Sequence, residues 1–415
     1  MADLGRRSAL HVAAGAAVAA LSGVAVFAIS ARALPTEQNT AFLTYWAALF
    51  AIFAVISGVQ SEATRAVRAD LLLPPEHARA TRPVAVALVV GVVAGLIVVA
   101  LCPVWAVVLV GDSTLGISVA LMALAAVSYA GHVATVGALA GHARWGAFAS
   151  LTAAEALVRL VLVLLAVGFG WGMIGFETAA AAGALTWVVA TLLLTRFRIA
   201  WRTRVSIRPA ALIGRMTNAM TAAGANALLV TGFPLLMSAT TGAAEYATAA
   251  PLVVAVSMTR APLLIPITAF QSMVIASFVQ HPERARSSLL KLVSAVCAVA
   301  VIGGVMAGLL GPWIMSLVFG AGYGNSPLIL GMLVAAASFL ALLVLGGAIA
   351  LALDRHTVNT LGWYAALAVS IALMLTPFTL ETRTILALLI GPMVGSAVHF
   401  TAILGSLRPD RAAEV

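Results

Sequence analysis

Residues 327–353, PLILGMLVAAASFLALLVLGGAIALAL, run from a proline to a leucine without one charged side chain. At about 1.5 Å of rise per residue, such a stretch is long enough to cross the roughly 30 Å hydrocarbon core of a bilayer. It belongs to a chain that is 63% hydrophobic and 9% charged, with a mean hydropathy of +1.10. A soluble domain carries about 25% charged residues, because its surface must meet water. Lipid is therefore the expected solvent, and transport or chemistry within a membrane is the kind of work to consider.

The same ruler, applied outward in both directions, gives twelve spans. In the first half they cover 8–31, 40–61, 84–110, 115–139, 147–169 and 173–195. In the second half they cover 212–238, 246–278, 288–310, 327–353, 358–377 and 384–406, and Pro251, Pro262 and Pro266 predict a tilt or bend in the eighth. Arg6-Arg7 before an apolar run, with Ala31-Arg32-Ala33 imitating a cleavage site, has the look of a signal peptide. The run is too long for a signal-peptide core and is read as the first span. The expected architecture is an all-α polytopic membrane protein with about twelve transmembrane helices in two six-helix lobes.

A net charge of +9 invites a nucleic-acid reading, but the basic residues fall in short clusters between apolar stretches and form no single patch. Of the 23 basic residues only Lys291 is a lysine. All but Arg32, Arg383, Arg159 and Arg260 lie at ends and loops that the twelve-span arrangement places on one side. By the positive-inside rule that side is the cytoplasm, both termini are cytoplasmic, and the protein is a multi-pass component of the plasma (inner) membrane with no nucleic-acid partner. Cys102 and Cys297 lie alone in apolar runs and suggest neither a redox nor a metal site, and no cofactor is expected.

The longest arginine-rich connection divides the chain into an N-terminal lobe (1–200), a cytoplasmic linker (201–215) and a C-terminal lobe (216–415). The halves show a faint repeat: Pro103 and Gly111 match Pro312 and Gly320 at one offset, and Gln60-Ser61 resembles Gln271-Ser272. With six spans per copy, both halves cross in the same direction, about an axis along the membrane normal.

A charge near the bilayer centre costs about 2.5–3.5 kcal/mol on insertion scales, so each one is a functional candidate. Arg260 lies near the midplane of the eighth span and has no acidic residue within one turn. It either meets an anionic substrate or pairs across helices. Glu155 and Arg159 stand at i, i+4 in the order that favours a helical ion pair, which is either structural or part of a coupling path. Span seven carries Thr217, Thr221 and Thr231 with Asn218 and Asn226 close by, a partly polar face suited to a cavity or to helix contacts. At the inner end of span two, Glu62, Arg65 and Arg68 form either a topology-setting cluster or a basic gate. The candidate substrate contacts are thus Arg260, Gln271, Asn218, Asn226, Gln60 and Arg65. His132 and His399 read as hydrogen-bonded packing residues, and G-A-G-Y-G at 320–324 reads as an outer turn. Asp112, Glu177, Glu245 and Glu381 read as scattered acids of short outer loops.

The passage Pro312-Trp313-Ile314-Met315-Ser316-Leu317-Val318-Phe319-Gly320, then Tyr323, the run from Leu328 to Leu353 and Asp354-Arg355-His356, resembles the ninth-to-tenth span passage of the MOP superfamily. Gly242 to Ala250 and Pro262 to Ser277 resemble the two ends of its eighth span, and Phe27 to Pro35 followed by Arg65 resembles its start. The resemblance to the polysaccharide and lipid-linked oligosaccharide flippase branch implies two lobes around a central cavity that opens alternately to each side. It also implies that Arg260 meets the phosphate or pyrophosphate of a polyprenyl-linked sugar. The first span lacks both the mid-depth arginine of the lipid II flippase and the acidic residue usual in multidrug and toxic-compound exporters, and both gaps favour a polysaccharide-type member.

The resemblance implies a transporter, not an enzyme: a flippase for a lipid-linked saccharide substrate used in envelope assembly, with membrane lipids and envelope glycosyltransferases or polymerases as partners. The alternatives are a cation-coupled exporter of small amphipathic compounds, with Glu155 as the coupling residue, and a transport-inactive scaffold for envelope synthesis. A membrane-embedded glycosyltransferase would need a substantial acidic or histidine-bearing loop at the membrane face, which the short outer loops do not offer.

Overall fold

Prolines open three of the helices, where a missing N–H is no loss and the fixed φ suits the first turn. In the computed structural model, which describes residues 2–73, 80–103, 115–260, 263, 285–353 and 355–406, these are Pro83, Pro209 and Pro327. Ser326 completes the third start by accepting a hydrogen bond from the Ile329 amide at 3.3 Å. Gln271, Pro262, Pro266, Gly111, Asp112 and Asp354 lie outside the described residues.

The first compact unit, Met1–Leu235, contains α1 (Ala2–Ala33), α2 (Thr36–Ile56), α3 (Gly58–Asp70), α4 (Pro83–Ala100), α5 (Leu115–Gly141) and α6 (Trp145–Gly168). It continues with α7 (Gly172–Ala182), α8 (Thr186–Leu193), the short α9 (Arg198–Arg202) and α10 (Pro209–Val230). The second unit, Leu236–Val415, contains most of α11 (Phe233–Ala239), then α12 (Ala243–Tyr246), α13 (Ala250–Arg260), α14 (Ala285–Phe319), α15 (Pro327–Ala352), α16 (His356–Met374) and α17 (Leu380–Ser406). Among the described residues, ten helical stretches are long and apolar enough to cross a membrane, with α2–α3 and α7–α8 each counting as one. They match every expected span except the seventh and eighth.

The seventh expected span divides into α10 and α11 at Thr231-Gly232, and α13 covers the first part of the eighth. α10 packs on α2 and α3 of the first unit, and Gly58 makes the α3 contact possible. A Cβ on Gly58 would lie 2.5 Å from the backbone of Ala219 and Met220, so only glycine lets the two helices approach so closely. The expected linker is folded as well: Val205 and Leu212 are buried within it, Phe197 and Ala200 are buried just ahead of it, and Val205 pairs with Thr81 in an isolated antiparallel bridge. α14 runs on past its expected end through Pro312 to Phe319. A proline costs one backbone hydrogen bond, yet apolar sequence in lipid has no alternative to helix that would satisfy the rest.

In the second unit, α14 and α15 meet backbone to backbone, and a Cβ on Gly331 would lie 2.8 Å from the Gly304 carbonyl. Small residues permit such contacts between membrane helices, where dispersion replaces the hydrophobic effect. Gly320 ends α14 with φ of +109°, a backbone geometry that favours glycine, so the G-A-G-Y-G segment is indeed a turn. Tyr323 is buried beneath it, and Asn325 donates to the Pro251 carbonyl at 3.0 Å, which ties the turn to the start of α13.

Candidate functional site

A glutamate and an arginine one helical turn apart can neutralise each other only if nothing wedges between them. On α6, Glu155 and Arg159 are 8% and 6% exposed and form a direct ion pair. The guanidinium lies 4.8 Å from the centre of the Phe50 ring and 5.5 Å from that of Trp46, and its Nε donates to the Ala180 carbonyl at 3.3 Å. Gly183 leaves room for it, since a Cβ there would stand 3.1 Å from the Arg159 Nε. Tyr129 stacks on Phe53 at 3.9 Å and on His132 at 5.7 Å, in keeping with a packing role for that histidine.

The same unit holds a second buried acid that the sequence reading placed in a loop. Glu177 lies in the second turn of α7 and is fully buried. Ser118 on α5 donates to its Oε2 at 2.7 Å, while Oε1 has no hydrogen-bond partner among the described residues. The outer loop is Gly170 to Gly172, with left-handed glycines at both ends, as the expected bounds of spans five and six imply, and Glu177 lies within the sixth span and not in that loop. The apolar residues Met173, Ile174 and Phe176 just before it were the available signal.

Toward the arginine-rich end of this unit, Arg65 grips Glu62 with two hydrogen bonds, Nε to Oε2 at 2.8 Å and Nη2 to Oε1 at 2.7 Å. Glu62 is buried, and Arg215 approaches it at 4.0 Å. Gln60 is half-buried on α3, and its carbonyl accepts from the Thr64 hydroxyl. On α10, Thr217, Asn218, Thr221 and Asn226 are all exposed, while Leu212 and Met216 are buried against the unit's core. That leaves a polar face uncovered by its own unit.

In the second unit, Arg260 ends the described part of α13; it is 6% exposed and engaged with neighbouring groups. Ten residues separate it from Ala250, or about 15 Å of helix, half the depth of the hydrocarbon core. Arg383, expected on the outer side, is also buried: its Nη1 donates to the Thr240 carbonyl at 3.0 Å and its Nη2 to the Thr241 hydroxyl at 2.8 Å. Glu245 lies 3.7 Å from it. His399 is fully buried with Nε2 3.1 Å from the Asn359 carbonyl, in a cradle where a Cβ on Gly362 would overlap its ring.

The candidate residues therefore fall into separate sets. The first unit has the Glu155–Arg159 pair, the buried Glu177, the Glu62–Arg65 clasp and the polar face of α10. The second has Arg260, and Gln271 lies outside the described residues.

No family model matches the sequence. Two proteins of Mycobacterium tuberculosis, the uncharacterized protein Rv3630 and the uncharacterized protein Rv1510, are each 35% identical to it. The alignments cover 95% of this chain and 92% of Rv3630, and 98% and 93% for Rv1510. Among solved structures, an inward-facing multidrug resistance MATE family transporter of the MOP superfamily matches with a TM-score of 0.73 at 13% identity, over 96% of both chains. A MOP superfamily transporter from Pyrococcus furiosus, whose binding pocket of reverse polarity suggests a different function for that protein, matches with a TM-score of 0.65 at 14% identity, over 97% of this chain and 96% of its own. The fold is that of the MOP-superfamily transporters, and by sequence the chain belongs to the family of Rv3630 and Rv1510.

Proposed function

We propose that this member of the Rv3630 and Rv1510 family is a membrane transporter that flips a polyprenyl-linked saccharide, or a related glycolipid, from the cytoplasmic to the outer leaflet by alternating access. Arg260 carries the reading: a buried cation about half way through the membrane, on the eighth span. A guanidinium offers a planar fork of donors that matches phosphate oxygens two at a time. A sugar phosphate lipid brings its anionic group to this depth only while crossing, so an arginine there acts on the step that is otherwise slowest.

The polar face of α10 supports the same reading. Asn218, Thr221 and Asn226 would be costly against lipid tails, and they suit a wet path for a hydroxyl-rich headgroup. Membrane lipids, and the envelope glycosyltransferases or polymerases that make or use the cargo, are the proposed partners. The test is a leaflet-resolved lipid profile of depleted cells complemented with wild type or Arg260→Ala. One sugar lipid should accumulate on the cytoplasmic face and be cleared only by wild type, while the variant inserts normally. Full clearance by Arg260→Ala refutes the role given to this arginine.

One observation favours a second reading, a cation-coupled multidrug-type exporter. Glu177 is a fully buried carboxyl with no basic partner among the described residues, as a coupling residue needs to be. Glu155, already neutralised by Arg159, suits that task less well. Drug resistance on overexpression that is lost in Glu177→Gln, with an unchanged lipid profile, would select this reading over the flippase.

A further inference from the structure

Between the end of α8 at Leu193 and the start of α10 at Pro209, fifteen residues contain five arginines and no acid, a composition that reads as a loose solvated connection. The structure folds it instead, and fixes it to its own unit at three points. Val205 and Thr81 exchange backbone hydrogen bonds at 2.8 and 3.2 Å. The Ser206 amide donates to Asp70 Oδ1 at 2.8 Å, and His142 Nε2 lies 2.8 Å from the Thr203 hydroxyl. These contacts bind the segment to the ends of α3 and α5 and to the residues just ahead of α4, all on the arginine-rich side of the unit.

The fold sorts the side chains. Phe197 and Ala200 point inward from α9 and its approach, and Arg198 turns back to the Leu192 carbonyl at 2.6 Å. Arg196, Arg202, Arg204 and Arg208 are exposed, and the pins bring exposed Arg82 and Arg144 beside them. Asp70, at the edge of the segment, is buried and occupied by the Ser206 amide. Trp201 is 37% exposed, its inner side stacked on buried Trp187 at 6.5 Å between ring centres, a few residues past the exposed Leu192, Leu193 and Leu194. A tryptophan at that level, with arginines on both sides, sits where phospholipid headgroups lie.

We propose that residues 194–208 form a pre-folded shelf that binds anionic phospholipids of the adjoining leaflet, with the four arginines taking the phosphate groups and Trp201 seated among the headgroups. Fixed in place, the arginines present one cationic surface that lipid can occupy without first ordering the chain. Attraction of this kind depends on headgroup charge, and so separates phosphatidylglycerol from phosphatidylcholine.

The test uses the full-length protein and its Trp201→Phe variant in phosphatidylcholine vesicles containing a minor fraction of brominated phosphatidylglycerol or, in parallel, brominated phosphatidylcholine. The difference in fluorescence between the two proteins reports on Trp201 together with the Trp187 it stacks on. Its quenching should be stronger with brominated phosphatidylglycerol, and the preference should vanish when Arg196, Arg202, Arg204 and Arg208 are all changed to glutamine. Should that variant fail to fold, native mass spectrometry of the wild type supplies the second measurement, with phosphatidylglycerol retained at least about tenfold over phosphatidylcholine. Equal quenching by the two lipids, or equal retention of them, overturns the proposal.

Discussion

Changing Glu155 to glutamine keeps the shape of the side chain and removes its charge, leaving the Arg159 guanidinium buried without its counter-ion. Removing one member of a buried pair costs about 3–5 kcal/mol, because the remaining charge stays desolvated. Here Arg159 keeps some support. Its bond to the Ala180 carbonyl is long at 3.3 Å, and the faces of Phe50 and Trp46 lie at 4.8 and 5.5 Å, together an offset of about 1–2 kcal/mol. The expected loss for Glu155→Gln is thus about 1–4 kcal/mol. The double variant Glu155→Gln, Arg159→Met has no stranded charge and should lose no more than about 1 kcal/mol, since apolar replacement of a buried pair is often neutral. Equilibrium unfolding of the four proteins in bicelles closes the cycle and should show a coupling of at least about 2 kcal/mol. Additive losses would mean that the pair is not the self-neutralising unit described above, and would return Glu155 to consideration as a coupling residue.

Three further outcomes follow from the packing. Gly58→Ala should lower stability by about 1–3 kcal/mol in a thermal melt, because backbone atoms of α10 stand where its methyl group would go. Arg383→Met should release the Thr240–Thr241 turn and raise its amide hydrogen exchange, with a stability loss of about 1.5–3 kcal/mol from the two charge-assisted bonds; Glu245, half exposed, adds little. His142 lies between spans, and burial first and the Arg144 charge second hold its imidazole below the usual histidine range. The unfolded chain therefore binds the proton more readily. Stability should be flat above about pH 7 and fall as the pH drops below about 6.5, and a melt series should lose that slope in His142→Gln.

Length and hydropathy made the helical plan legible, because a membrane span needs a long apolar run and the bilayer admits little else at that depth. Counting led to the expectation of Arg260 at mid-depth, and the i, i+4 spacing of Glu155 and Arg159 announced their pair. What counting could not give is which helices touch. The aromatic enclosure of Arg159 is assembled from α2, α6 and the segment after α7, and the approach of α10 to Gly58 joins positions more than 150 residues apart. Glu177 was read as a loop acid although the expected sixth span already included it; hydropathy gives the extent of a span, and only the contact with Ser118 on α5 shows that this carboxyl faces inward. The order of the 194–208 segment was not legible, because it comes from side-chain and backbone pins to distant loops, and its arginine-rich composition gives no local sign of them.

The length of α14 also bears on the membrane around it. Thirty-five residues make a helix of about 52 Å, well beyond the roughly 30 Å of hydrocarbon available. Few of its residues are fully buried and about half are exposed, so lipid must dress the long apolar face turned away from α15. Such a helix leans steeply, carries apolar turns into the headgroup layer, or thickens the bilayer beside it, and each response costs a fraction of a kilocalorie per ångström of mismatch. Bilayer thickness thereby becomes an operating condition of the second unit, set by the acyl chains that the cell makes.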